Sequence, residues 1–384
     1  MKKIIFGAMA AAALLACSKE QVLEKNQAGN EISYSIQTDN QTKASAVYCQ
    51  NFLMENFTVY ATYKNTTVNK WYYSDEISDK VTSWEGTTTR YWSADGTHDF
   101  YAIVNGEMTV GDDPTTVPTI VGFTPEAEVA NQKDLLYAVA FNKSRETTGE
   151  TVNLNFRHAL SQVEFRAKNT NEKLHVIISG VTVGQVPSTG TFTYPTEESN
   201  DQFVDHDQDQ DETNGAVTGT WNLENTKANY SVAFEDLPIV KNANNTPVDL
   251  TISKDINDNT RDFKKSMLLL PTSSITGGNG TTAWTPAAGE TEYDGSYLAV
   301  NCQIYNIEGA EFNPDSDVIL HNGWAYIPVS FNWEPGKKYI YTFVFGDGNG
   351  GYNENGDPVL APVSYQIHVD DFDLVSDTDI NMQQ

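Results

Sequence analysis

A chain of 384 residues is long enough for two domains that each bury their own core, and its 24 basic against 52 acidic side chains leave a net charge of −28. A surface this acidic repels phosphate backbones, whose binding depends on Lys and Arg releasing counterions, so nucleic acid is excluded as a partner. The 19 Tyr, 17 Phe and 7 Trp, together with the lack of long Ala, Leu, Glu and Lys runs at helical spacing, predict an all-β protein.

Residues 1–17 join a basic start to an apolar run and end in Leu14-Leu15-Ala16-Cys17. That run is too short to span a bilayer and reads as a secretory signal with a lipobox, which makes Cys17 the expected site of lipidation. Residues 18–30 are polar and aperiodic, a tether between lipid and fold. Only Cys49 and Cys302 remain, so neither a disulfide scaffold nor a thiolate zinc site is supported; whether these two pair is left open by the sequence.

Residues 31–37 alternate Ile32, Tyr34 and Ile36 with Ser33, Ser35 and Gln37, the period of a half-buried strand. Residues 38–45 carry almost nothing to bury and predict an exposed loop, in which Lys43-Ala44 is a candidate proteolytic processing site. Strands follow at 57–63, 70–73, 100–104 and 135–139, separated by Gly-, Asp- and Thr-rich turns. Trp71, Tyr72, Tyr73, Trp84, Tyr91 and Trp92 crowd together here, and such rings can stack on sugars. Core packing is the stronger explanation, because neighbours such as Tyr91 and Trp92 face opposite ways on a strand.

Residues 151–180 read as strand, kink, strand, turn, strand. Val152, Leu154 and Phe156 alternate with polar residues, and Val163, Phe165 and Ala167 alternate with Glu164, Arg166 and Lys168, so each strand is expected to keep one wet face. Between them, His158-Ala159-Leu160 breaks the alternation where a strand could pass from one sheet to another. The expected organisation is a first β-sandwich over 31–170 and a second over 171–384, with an acidic insertion near 196–219.

In that insertion Asp205, Asp207, Asp209 and Asp211 superficially suggest a calcium loop, but Gln210 and Ala216 stand where an EF-hand needs Gly and a bidentate Glu. No metal or other cofactor is predicted. Further strands are expected at 267–270, 297–304, 324–331 and 338–345, and in a last strand that turns Val363, Tyr365, Ile367 and Val369 to one side. The six histidines show no ligand spacing, and no nucleophile elbow or phosphate-cradling glycine loop occurs. His158 reads as a buried histidine satisfied by backbone groups, and the chain as a non-enzyme.

Several phrases occur together in one order: the lipobox at Cys17, Asp134-Leu135-Leu136-Tyr137-Ala138, Phe156-Arg157-His158-Ala159-Leu160-Ser161-Gln162-Val163, Leu268-Leu269-Leu270-Pro271, Phe331-Asn332-Trp333-Glu334-Pro335-Gly336-Lys337-Lys338-Tyr339 and the glycine loop at Gly346. In this order they resemble the fimbrillin-like lipoproteins of Bacteroidales, the subunits of type V pili. The resemblance implies two tandem transthyretin-like β-sandwich domains, passage to the outer membrane on a lipid anchor, and polymerisation with other pilus subunits after proteolysis frees a groove. Carried onto this chain, it implies that Ile32, Tyr34 and Ile36 lie on the removable strand and that the cut falls at Lys43-Ala44. Val363, Tyr365, Ile367 and Val369 would then form a terminal donor strand. Lys43 stands where the family usually has arginine, and few residues follow Val369; stalk, tip and anchor roles all stay open. Two readings result: a structural or adhesive pilus subunit with a host or bacterial surface ligand, or a non-polymerising surface lipoprotein that binds glycans through its aromatic residues.

Overall fold

The computed structural model describes residues 30–38, 56–79, 84–149, 151–198, 218–241, 246–251, 265–275, 280–287, 293–346, 351–359 and 363–371. Seven strands, β1 (Ser33–Thr38), β2 (Phe57–Lys64), β3 (Asn69–Asp79), β4 (Trp84–Gly86), β5 (His98–Val104), β7 (Leu136–Lys143) and β8 (Thr151–His158), close into a barrel in the order β1-β4-β3-β2-β5-β7-β8. The first expected sandwich is thus sealed along both edges, and β1 is the strand that seals it. Period-two patterning fills the interior: Phe57, Val59 and Ala61 of β2 meet Val152, Leu154 and Phe156 of β8, with Phe100, Ala102 and Val104 of β5 between them.

The chain leaves the barrel at Ala159-Leu160. Here the Ala159 N–H donates to the Leu135 carbonyl at 2.9 Å, the Trp221 indole N–H donates to the Ala159 carbonyl at 2.7 Å, and the Gly336 N–H donates to the Leu160 carbonyl at 2.9 Å. Strand β9 (Ser161–Asn169) then joins a different sheet, running parallel to β19 (Lys337–Phe345), which in turn pairs with β20 (Val363–Asp371). The boundary expected at residue 170 therefore lies beyond the change of sheet, because β9 buries Val163, Phe165 and Ala167 in the second core rather than in the barrel.

Facing that sheet is a second one, in the order β13 (Lys227–Ala233), β10 (Leu174–Pro187), β17 (Tyr297–Asn306), β18 (Val318–Pro328), with β14 (Ile239–Val240) also on β10. Two short strands, β15 (Val248–Asp249) and β16 (Met267–Leu269), cap the outer edge of β9. The predicted wet face of β9 is dry at its start. Gln162 and Glu164 are buried, Ser266 Oγ donates to Glu164 Oε1 at 2.9 Å, and burial pushes the Glu164 carboxyl up from its ordinary value.

A third core ties the two units together. Strands β6 (Thr119–Phe123), β11 (Gly190–Thr193) and β12 (Thr220–Leu223) form a small sheet, β11 pairing with both of the others. Its Ile120, Phe192 and Trp221 pack on Tyr101, Ile103 and Tyr137 from the outer face of the barrel. Since β6 precedes the kink and β11 and β12 follow it, the apolar seam between the units contains strands from both sides of the junction.

Candidate functional site

Strand β1 has an asymmetric hold on the barrel. On one side it runs parallel to β8 in unbroken register from Ser33↔Thr151 to Thr38↔Phe156; on the other, among the described residues, it meets β4 at Tyr34↔Trp84. Just before it, the Ile32 N–H donates to the Arg90 carbonyl at 2.9 Å, the Trp92 N–H donates to the Asn30 carbonyl at 3.0 Å, and the Arg145 guanidinium donates to the Asn30 side-chain oxygen. Beyond Thr38 the chain enters residues 39–55, outside the described residues, and re-enters as β2.

The inward side chains pack among aromatic rings of the barrel core. Ile32 and Tyr34 are buried, and the Tyr34 ring makes edge contacts with Phe57 and Phe100, each at 6.3 Å between centroids. Phe57 in turn lies 5.2 Å from Phe156 and 5.3 Å from Trp84. Burying one such side chain contributes about 1.5–3 kcal/mol, so removing β1 would expose a deep apolar slot as well as a row of unpaired backbone groups on β8.

At the bottom of the slot the Tyr34 and Tyr73 hydroxyls meet at 2.6 Å. Burial pushes both phenols up, and within the pair the neutral forms share one hydrogen bond. Arg90 lies 4.8 Å above the Tyr73 ring, its Nε 3.5 Å from Asp75 Oδ2, while the Thr88 N–H donates to the same carboxylate oxygen at 3.1 Å. At the rim, Ser33 Oγ and Thr151 Oγ1 are 2.9 Å apart. Strand β1 is therefore held by shape, by one buried hydroxyl contact and by one hydroxyl contact to Thr151.

Of the predicted site residues, Ile32 and Tyr34 lie in this slot and position 36 pairs in register with Leu154. Val363, Tyr365 and Ile367 lie on β20, an edge strand hydrogen-bonded on one side to β19 as far as Lys337↔Asp371, with Val369 opposite Tyr339. Cys17, Lys43, Ala44, Cys49 and the aspartates at 205–211 lie outside the described residues; Cys302 is a buried free thiol. No cluster of His, Cys, Asp and Glu able to hold a metal ion occurs among the described residues.

The aromatic residues from Trp71 to Trp92 do not share a platform. Trp92 and Tyr73 are in the barrel core, Tyr72 and Trp84 pack against it, and Trp71 turns outward, its indole N–H donating to the Gly111 carbonyl at 2.7 Å. A glycan surface built from them is not assembled. His158 differs too: its Nδ1 is met by the Asp134 carboxylate rather than by backbone alone. Sequence reasoning did not assign Tyr73 or Thr151 the side-chain hydroxyl contacts they make with Tyr34 and Ser33, because nothing local marks which distant strands flank a given one.

Comparison with known proteins places the chain. The fimbrillin-like family model matches residues 42–360. A fimbrial protein from Bacteroides vulgatus has a similar structure, with a TM-score of 0.54 at 13% identity over 89% of this chain and 99% of that one. The tip fimbrial protein Mfa3 from Porphyromonas gingivalis, solved with a C-terminal truncation, gives a TM-score of 0.36 at 9% identity over 83% and 94%. No curated protein matches the sequence.

Proposed function

The chain belongs to the fimbrillin-like family, and from that premise we propose that it is a structural or adhesive pilus subunit assembled by strand exchange. In this reading the precursor reaches the outer membrane on a lipid at Cys17 and is cut at Lys43-Ala44. It then loses β1 and receives the terminal strand of another subunit in the vacated slot, so that the mature protein resides in a fimbrium at the cell surface. The role is structural, not catalytic.

One observation supports this above the others: β1 fills the barrel with Ile32 and Tyr34 and ladders along β8, while among the described residues it pairs with β4 at Tyr34↔Trp84. A strand zipped along one edge can leave without unravelling the rest, and the exposed slot then has a strong reason to be refilled. The family match stops short of both β1 and β20, so their roles rest on the geometry of this chain.

Limited trypsin digestion of the lipid-free full chain, read by mass spectrometry and size analysis, tests the proposal. Cutting after Lys43, loss of the peptide that carries β1, and growth of a ladder of oligomers are expected, with Lys43→Gln blocking all three. A chain that is cut there and stays monomeric with β1 retained would overturn it.

A further inference from the structure

The two strands at the ends of the fold carry nearly the same sequence. Ile32-Ser33-Tyr34-Ser35-Ile36 of the β1 region corresponds to Val363-Ser364-Tyr365-Gln366-Ile367 of β20, with Ser, Tyr and the last Ile identical and Val in place of Ile. In β1, each of the matched residues whose side chain is described has a defined partner. Ile32 and Tyr34 fill the slot, the Tyr34 hydroxyl meets Tyr73, and Ser33 Oγ meets Thr151 Oγ1.

From this correspondence we infer that the slot is built for a second copy of this chain. It reads β20 in one register: Val363 for Ile32, Ser364 for Ser33, Tyr365 for Tyr34 and Ile367 for Ile36, with Tyr73 and Thr151 as the specificity-determining residues. The inference rests on the strand-exchange reading and adds the identity of the donor, its direction and the side chains that select it. The register places β20 parallel to β8, as β1 is, with Ser364 opposite Thr151 and Tyr365 opposite Val152.

The exchange would bury Tyr365 more deeply, while Val363 is buried already and the β19 ladder would be traded for one on β8. In its own subunit β20 is an edge strand, and from Val363 to His368 only Val363 is fully buried, while Tyr365 is half-buried beside Tyr341 at 6.1 Å. The positions that Val363 and Tyr365 would take in the slot are both buried. A donor with Phe in place of Tyr365 would leave the Tyr73 hydroxyl buried without its partner, and this penalty gives the slot its selectivity. Replacing both hydroxyls by hydrogen removes the unpaired group altogether.

The experiment uses the lipid-free full chain with Cys17→Ser and Cys49→Ser, cut by trypsin and followed by size analysis. Tyr365→Phe and Tyr73→Phe are each expected to slow oligomer growth about tenfold, and the double variant to recover most of that loss. In parallel, Ser364→Cys with Thr151→Cys is expected to give a disulfide-linked ladder under oxidation, whereas Ser364→Cys with Asn153→Cys, the pair a reversed strand would favour, is not. If the cut parent chain stays monomeric, strand exchange itself fails and the inference with it. If the parent forms oligomers but the Phe variants show no coupling, or if the Asn153→Cys pair links instead, the proposed register is wrong and strand exchange stands.

Discussion

Nδ1 of His158 lies 2.5 Å from Oδ2 of Asp134, and both side chains are buried where the barrel hands the chain to the second sandwich. His158 ends β8, and Asp134 stands just before β7, with its carbonyl accepting from the Asn105 side-chain amide at 2.9 Å. The pair ties together two phrases that the sequence shows as separate motifs.

Breaking that pair from one side should be costly. Asp134→Ala or His158→Ala alone is expected to lower stability by about 3 kcal/mol, because each removes a contact between two buried polar groups. The double substitution Asp134→Leu with His158→Leu should cost less than the sum. Chemical denaturation of the four proteins measures this coupling.

Trp92→Ala is expected to destabilise the barrel by about 3–5 kcal/mol, since it removes one of the largest fully buried side chains and leaves a cavity beside Phe100. Trp71→Ala, on the outer face, should cost far less. Comparing the two melting curves separates a fully buried tryptophan from a half-buried one.

His98 makes the fold sensitive to acid. Its ring is buried beside Trp92, with Nδ1 2.8 Å from the Thr62 carbonyl and Nε2 2.9 Å from Ser93 Oγ. Burial holds its pKa below the ordinary 6.5. The unfolded chain then takes up a proton at a higher pH than the folded one. The His98 contribution is therefore fully present above about 6.5 and is lost as pH falls through the lowered folded value. His98→Asn should flatten the part of the melting-temperature profile below about pH 6.5 that this group supplies.

Cys302 should report opening of the second sandwich. It lies in that core, and burial pushes the thiol up, so little reactive thiolate forms. In a Cys17→Ser, Cys49→Ser background, labelling by a maleimide is expected only at denaturant concentrations that unfold this unit. Rapid labelling of the native protein would show that the core opens locally.

The sequence made the strands of 151–180 legible, together with the kink between them, because period-two alternation is a local signal and His158-Ala159-Leu160 visibly interrupts it. It could not say that β9 joins β19, since a parallel partner so distant in the chain leaves no local trace. The same limit applies to Gln162 and Glu164. Their polarity predicts a wet face, yet packing against Ser266 buries them.

By itself the sequence determined the all-β class, the alternating apolar edge of 31–37 and the near-copy of that segment at 363–367, for these are properties of side-chain order along the chain. Only the tertiary structure decided that β1 seals a barrel, that Tyr73 and Thr151 receive it and that Trp92 is core. Those facts depend on which distant strands become neighbours, and that is settled by how apolar faces are buried together rather than by any stretch of residues alone.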